Sequence, residues 1–332
     1  MSLPLSMTST IQRDDILEIK MYKTLKVYLL VGTDGSELVI KIDAVDAPQI
    51  KSAGVAVKAV DPAVKMKLLT PSERFELQQY CQTFEEIDAY FESIDLALPP
   101  HLRSQKDAVE KLKESLTFRE PFAKMPKQTI HHLEDAAEKR GQGNKDVVRL
   151  FVGTLKDDGG LEMLGKVVAG DLFNGNCDRF FPGTNRPLSF GPFTVTLKAL
   201  VNPGNAMIIA TQAGGFTPTM LDYVDPSSQY KNIDAPLNET PPDKMWPGRT
   251  LVDRKARRAF AQDIVDDLEN LLHPKKSWFS MKTKLGRNAV SRLDAGMVEG
   301  AALIKRRLEA KYGPNRWTQG ATERYRLICT VR

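Results

Sequence analysis

The sequence predicts an α+β chain in two lobes, a small strand-rich N-lobe followed by a larger, mainly helical C-lobe. Two observations carry this reading. Residues 16–42 hold three short apolar runs around a turn of glycine and aspartate, whereas capped segments of helical period dominate from residue 70 onward. With 332 residues, 42% of them hydrophobic, the chain is long enough to bury a substantial core. On this division residues 1–15 are a flexible tail, 16–145 an N-lobe with a helical insertion, and 146–332 a helical C-lobe carrying a strand insert.

The elements follow in order. The runs "ILEIKM", "LKVYLLV" and "ELVIKID" predict strands, and "GTDGS" (32–36) supplies hairpin chemistry between the last two. "GVAVKAV" (54–60) predicts a further strand. Thr70 and Pro71 open a long helix, Thr70 as a cap and Pro71 at the first helical position, which "PPHLRSQ" terminates. "KDAVEKLKESL" predicts a second helix. Residues 119–145 are polar and rich in Lys, Glu and Gly, with a linker at "KRGQGNKD". "DVVRLFVGTL" and "LEMLGKVVAGDLF" predict helices around a "KDDGG" turn. After residue 180, "FTVTLKAL", "AMIIATQ" and "FTPTMLDYV" read as extended segments, and the chain from "RTLVDRKARRAF" onward is mostly helical.

Several function classes lack their signatures. Cys81, Cys177 and Cys329 are far apart and odd in number, and the four histidines have no metal-ligand spacing, which argues against a disulfide framework or a histidine metal site. No GxGxxG follows a strand, and neither a P-loop nor a GxSxG elbow is present. No window approaches 18 apolar residues, so no membrane span is expected. The Ser/Thr-rich opening "MSLPLSMTSTIQRDD" is not a Sec-type signal. It fits a cytoplasmic protein, or one secreted by a bacterium into a host cell. A net charge of +5 and the stretches "DRKARRAF" and "IKRRLEAK" suit solvated helix faces or a peripheral anionic surface, and no nucleic acid is expected as partner.

The chemistry concentrates elsewhere. "DLFNGNCDRF" (171–180) ends an apolar helix in a polar knot containing Asp178. Downstream, Asn205, a strand, an Ala-Gly-Gly turn, a second extended run and Asp222 form a hairpin pattern that brings Asn205 and Asp222 to one end. Asn and Asp are hard oxygen ligands suited to Mg²⁺ held with phosphates. A neighbouring carboxylate can orient an attacking hydroxyl, and phosphoryl transfer needs little else besides a lysine on the phosphates. Lys41, on a strand after the glycine turn, supplies such a cation.

"GNCDR" resembles the GNxDR catalytic loop of atypical kinases of the protein-kinase-like superfamily: the phosphoinositide kinases, the Fam-type secretory kinases and the HipA-like bacterial kinases. The resemblance covers residues 25–42 and 160–224. It implies a two-lobed protein-kinase-like fold using ATP and Mg²⁺, with Asp178 as catalytic acid or base and Asn205 and Asp222 as metal ligands. Lys41 would hold phosphates, the Gly32–Gly35 turn would approach them, and a helix glutamate would pair the lysine. Glu73, Glu76, Glu85 and Glu86 are the candidates, with Glu76 preferred. The implied acceptor is a protein or a phosphoinositide; transfer of AMP is the related alternative. Lys58, in "VAVKAV", rivals Lys41, and Asn185 and Asp225 rival Asn205 and Asp222. The sequence departs from the pattern at Phe180, where several relatives carry His, and in the 26 residues between Asp178 and Asn205. The reading from a different class is a non-catalytic helical interaction protein, in which "GNCDR" is a helix cap.

Overall fold

Alternating side chains turn residues 16–42 into three antiparallel strands, β1 (Ile16–Met21), β2 (Val27–Gly32) and β3 (Glu37–Ile42). The computed structural model of the chain describes residues 10–22, 27–42, 47–62, 64, 67–117, 122–137, 145–157, 159–180, 185–190, 193–198, 200–221, 233–237, 247–272 and 285–332. The fold is α+β, with small antiparallel sheets and a mostly helical remainder. It divides into two units, Met1–Ala47 with Lys65–Lys127, and Pro48–Val64 with Gln128–Arg332.

Helix α1 (Ala47–Val60) follows β3 and lies almost entirely in the second unit. The strand predicted over 54–60 is therefore a helix. Its buried residues Ile50, Ala53, Val57 and Val60 recur at helical spacing, and this burial overrides the alternation of Val55 and Val57 that suggested a strand. Lys58 is exposed on that helix, so it is not a strand lysine.

The first unit continues with β4 (Lys67–Leu68), α2 (Pro71–Ser93), α3 (Pro100–Arg103), α4 (Lys106–Thr117) and β5 (Phe122–Pro126). β5 inserts between β3 and β4, giving the order β1-β2-β3-β5-β4, so a strand stands in a polar stretch for which the sequence named no element. One sheet face, with Tyr28, Leu30, Leu38 and Ile40, packs on Leu77, Cys81 and Phe84 of α2 and on Leu112 of α4. β1 is an edge strand, a place where unpaired amides invite further pairing. Here it bulges at Leu17, and the Ile19 amide donates to Oε1 of buried Gln105 at 3.0 Å. The end of α2 is a Schellman turn: the amides of Asp95 and Leu96 donate to the carbonyls of Glu92 and Phe91, with Asp95 at φ 54° in the left-handed position usually taken by glycine.

A buried ion pair ties sheet to helix in this unit. Lys124 of β5 lies opposite Ile40, on the helix-covered face, and its ammonium meets Oε1 of Glu73. Glu73 also closes a capping box with Thr70 and accepts the Ile11 amide at 3.2 Å. Burial pushes the Glu73 carboxyl up, but Lys124 and the amides of Thr70 and Ile11 outweigh it and hold the group below its ordinary 4.5. A depressed carboxyl stabilises the fold above its unfolded pKa and ceases to do so as pH falls through the folded value. Glu73→Gln should therefore cost about 3 kcal/mol at neutral pH. The deficit should shrink as urea titrations are carried below the ordinary carboxylate range; a deficit that stays constant with pH would contradict this account.

The second unit adds β6 (Ile130–His132), α5 (Leu133–Ala137), α6 (Lys145–Lys156) and α7 (Gly160–Asn174). A ribbon of β7 (Asn185–Phe190) and β8 (Phe193–Lys198) follows, then the hairpin β9 (Met207–Ala210) and β10 (Phe216–Pro218). The chain closes with α8 (Arg249–Val252), α9 (Arg254–Leu272), α10 (Ala289–Tyr312) and α11 (Gln319–Ile328). β6 joins the hairpin in a sheet of order β10-β9-β6. Helices α7 and α10 approach to backbone contact: a Cβ at Gly165 would meet the Leu293 carbonyl, and one at Gly296 the Glu162 carbonyl. Arg292 clamps the same helix pair through both oxygens of Glu162 at 2.8 Å. Among the described residues no helix is long and apolar enough to cross a membrane.

Candidate functional site

The polar knot begins as a helix end. Gly175, at φ 71°, takes the left-handed position after α7; its amide donates to the Leu172 carbonyl, and that of Asn176 to the Asp171 carbonyl. The chain then folds back on Asp171. Asn176 Nδ2 donates to Asp171 Oδ1 at 2.9 Å, Asn176 Oδ1 accepts the Asp178 amide at 3.2 Å, and the Arg179 guanidinium pairs with Asp171 Oδ2. The arginine of the motif thus pairs with Asp171. Both partners are buried, Asp171 at 0% and Arg179 at 1% exposure, so neither ion is solvated and each depends on the other.

Arg179 has two further duties. Its Nε donates to the Asn205 carbonyl at 2.9 Å, and its Nη2 to the Leu221 carbonyl. One guanidinium therefore holds the end of α7, a residue of the turn before β9 and the residue directly preceding Asp222 in the chain. Asn205 also reaches Asp178, its Nδ2 donating to the Asp178 carbonyl at 3.2 Å, where Asn202 Nδ2 donates as well at 2.8 Å. Using Nδ2 in this way directs Asn205 Oδ1, the hard acceptor, the other way.

The 26 intervening residues do not separate Asp178 from Asn205, because they leave and return at one point. Phe180 and Val201 form an antiparallel bridge, and the Asn202 amide donates to the Arg179 carbonyl at 2.9 Å. The excursion between them carries the β7–β8 ribbon. Buried Asp267 of α9 fixes the return by accepting the amides of Leu200 and Val201 at 3.0 and 2.8 Å. The turn before β9 is held from the other side: His132 Nδ1 lies 2.6 Å from the Gly204 carbonyl, and the Glu134 amide donates to the Pro203 carbonyl.

The β9–β10 hairpin forms as the sequence predicts, with Ala210 opposite Phe216 and Ile208 opposite Pro218, so residues 205 and 221 reach the same end. Asp61, just after α1, secures the return. Its Oδ2 accepts Thr219 Oγ1 at 2.6 Å and the Met220 amide at 2.9 Å. Asp222 and Asp225 lie outside the described residues. Asn185 sits at the start of β7. Among the described residues no group of three His, Cys, Asp or Glu side chains gathers for a metal; the oxygen set expected here takes an amide from Asn205 and a carboxylate from Asp222.

The remaining expected residues belong to the first unit. Lys41 is half-buried on β3, opposite Val27 and Ala123, on the sheet face away from Lys124. The Gly32–Ser36 turn is closed on itself. The amides of Gly32 and Gly35 donate to the carbonyls of Ser36 and Gly32, and that of Ser36 to Asp34 Oδ1. Hydrogen bonds from Ser36 hold the exposed Asp34 carboxyl below its ordinary value, so the turn presents a carboxylate and amides already in use. Glu76 accepts the Arg13 amide at 3.1 Å; the α2 acid that meets a buried lysine is Glu73.

Asp61, Asp171, Asn202 and Asp267 were not singled out from the sequence, and Arg179 entered only as a member of "GNCDR". Of the first four, only Asp171 leaves a trace there, as a lone acid inside the apolar run "KVVAGDLF", which demands a partner. Comparison of the chain with protein-family models, with curated proteins and with solved structures finds no match in any of the three.

The arrangement makes Arg179 irreplaceable by a cation of different shape. Lysine cannot reach three acceptors in one plane. Arg179→Lys is expected to lower the stability of the chain by about 3 kcal/mol or more, as for a broken buried pair. Chemical denaturation measures this, and a loss under about 1 kcal/mol would show that a point charge suffices.

Proposed function

We propose that the chain is an ATP- and Mg²⁺-dependent phosphotransferase of protein-kinase-like fold, acting on a hydroxyl of a protein. The observation that supports it is the single guanidinium of Arg179, to which the segments bearing Asp178, Asn205 and Leu221 are all tied. In this reading Asp178 orients the acceptor hydroxyl and takes its proton. Asn205 Oδ1 and Asp222 are the hard ligands for the cation, and ATP, when bound, supplies the phosphoryl group. Little covalent work falls to the chain itself; positioning and charge are its contribution.

Lys41 is the phosphate lysine of this proposal. Lys124 with Glu73 has the strand-lysine and helix-glutamate form that such enzymes use, but its ammonium is 4% exposed and engaged by a carboxylate that also caps α2. Lys41 is half-buried and stands on the opposite face, which suits a ligand contact better.

Transfer from radiolabelled ATP tests the proposal. Asp178→Asn, Asp222→Ala and Lys41→Met should each cost roughly 10²-fold or more in rate, with unchanged unfolding midpoints. Full activity in the two aspartate variants would end it. Intact-mass analysis of the product separates phosphoryl from AMP transfer, and acceptor assays with phosphoinositide vesicles separate a lipid from a protein acceptor. A second reading, a non-catalytic interaction protein, is favoured by apolar side chains exposed along α2. Thermal shift distinguishes the two: ATP with Mg²⁺ at ~100 times its dissociation constant stabilises a true binder by about 2.7 kcal/mol.

A further inference from the structure

Among the side chains whose burial is described, the large hydrophobic ones that are substantially exposed belong to the first unit. Most lie on α2 and the turn that ends it. Ile87, Tyr90 and Ile94 are 36%, 61% and 44% exposed, and their spacing of three and four places them on one stripe. Leu96, 57% exposed, extends the stripe beyond the Schellman turn. The helix does not need this stripe for its own unit: Leu77, Cys81 and Phe84 already bury a separate face in the core. A contiguous apolar strip facing water marks an interaction surface more often than scattered exposed residues do.

Its charge indicates what covers it. Between Pro71 and Ser93 six acids, Glu73, Glu76, Glu85, Glu86, Asp88 and Glu92, stand against Arg74 alone, although the chain as a whole carries +5. Glu85 and Asp88 are matched by Lys113 and Lys106 of α4, on the side away from the stripe. Glu86 borders the stripe and takes a neutral amide, that of Gln82 at 3.1 Å. Asp95 stands between Ile94 and Leu96 in a left-handed conformation where glycine would be easier, and so keeps a carboxylate at the end of the strip. An acidic rim repels anionic lipid and nucleic acid, and it attracts cations.

We infer that the Ile87–Leu96 strip of α2 is a docking surface for a basic amphipathic helix of a partner protein. The partner's apolar side chains pack along Ile87, Tyr90, Ile94 and Leu96, while its lysines or arginines meet Glu86 and Asp95. Tyr90, large and rigid, is the anchor of the contact. This assignment is independent of the phosphotransferase reading.

The test uses the full chain and two fluorescent synthetic peptides of about 18 residues, long enough to form helices. Both carry leucine at helical spacing; one has lysine on its polar face and the other glutamate. Fluorescence anisotropy should show the leucine–lysine peptide binding at least about tenfold more tightly, less so as salt rises. Tyr90→Ser and Ile94→Ser, both at exposed positions, should together weaken it about tenfold or more, and Glu86→Lys with Asp95→Lys should reverse the preference. Binding of neither peptide, equal binding of both, or binding insensitive to the Tyr90 and Ile94 changes would overturn the proposal. Sedimentation decides the remaining case: self-association of the chain abolished by Tyr90→Ser would assign the surface to a second copy instead.

Discussion

The candidate site depends on one buried ion pair. Asp171 sits in the last turn of α7, fully removed from water, and an isolated carboxylate there would be prohibitively costly. Arg179 answers that charge, and only a chain that turns sharply at Gly175 can bring it back. Once in place, the planar guanidinium has two further edges to satisfy, and it satisfies them with the carbonyls of Asn205 and Leu221. The local demand of a buried charge thus fixes where three distant segments meet. The motif's glycine, asparagine and arginine all have structural explanations.

Buried carboxylates perform the same task elsewhere in the second unit. Asp61 receives the chain at Thr219 and Met220, and Asp267 receives it at Leu200 and Val201. Each acid is nearly inaccessible, and each is satisfied by donors from a segment that would otherwise be irregular. Such segments are therefore held by hydrogen bonds rather than by a sheet or helix ladder. Placement of reacting groups to within a fraction of an ångström calls for this kind of support. The first unit uses its buried acid differently: Glu73 joins a helix start, the amide of Ile11 and a strand lysine in one cluster.

What could be read from the sequence follows from how local the determinants are. The three front strands, the capped helix at Thr70 and the β9–β10 hairpin rest on alternation, capping and turn chemistry within a few residues, and all are present. Residues 54–60 misled because Val55 and Val57 alternate like a strand while the core they face has helical period. β5 was hidden for the opposite reason: "FAKMP" is short, and its pairing partners Leu38 to Ile42 are some eighty residues away. A separation of 51 residues likewise concealed the Lys124–Glu73 pair. At the site, Asp178 and Asn205 were legible as residue types at suggestive positions. The means of joining them across 26 residues was not, because the Phe180–Val201 bridge and the Asp267 anchor depend on tertiary structure.

The central claim is that the segments around residues 178, 205 and 222 surround a single metal–nucleotide. Iron(II) in place of magnesium, bound with ATP and supplied with ascorbate and hydrogen peroxide, generates radicals that cut backbone only in its immediate neighbourhood. Mapping the cuts by mass spectrometry is the most direct measurement. The account predicts ATP-dependent cleavage in all three segments, reduced together when Asn205 or Asp222 is replaced by alanine. Cuts confined to one segment, placed elsewhere in the chain, or unchanged by omitting ATP would contradict it.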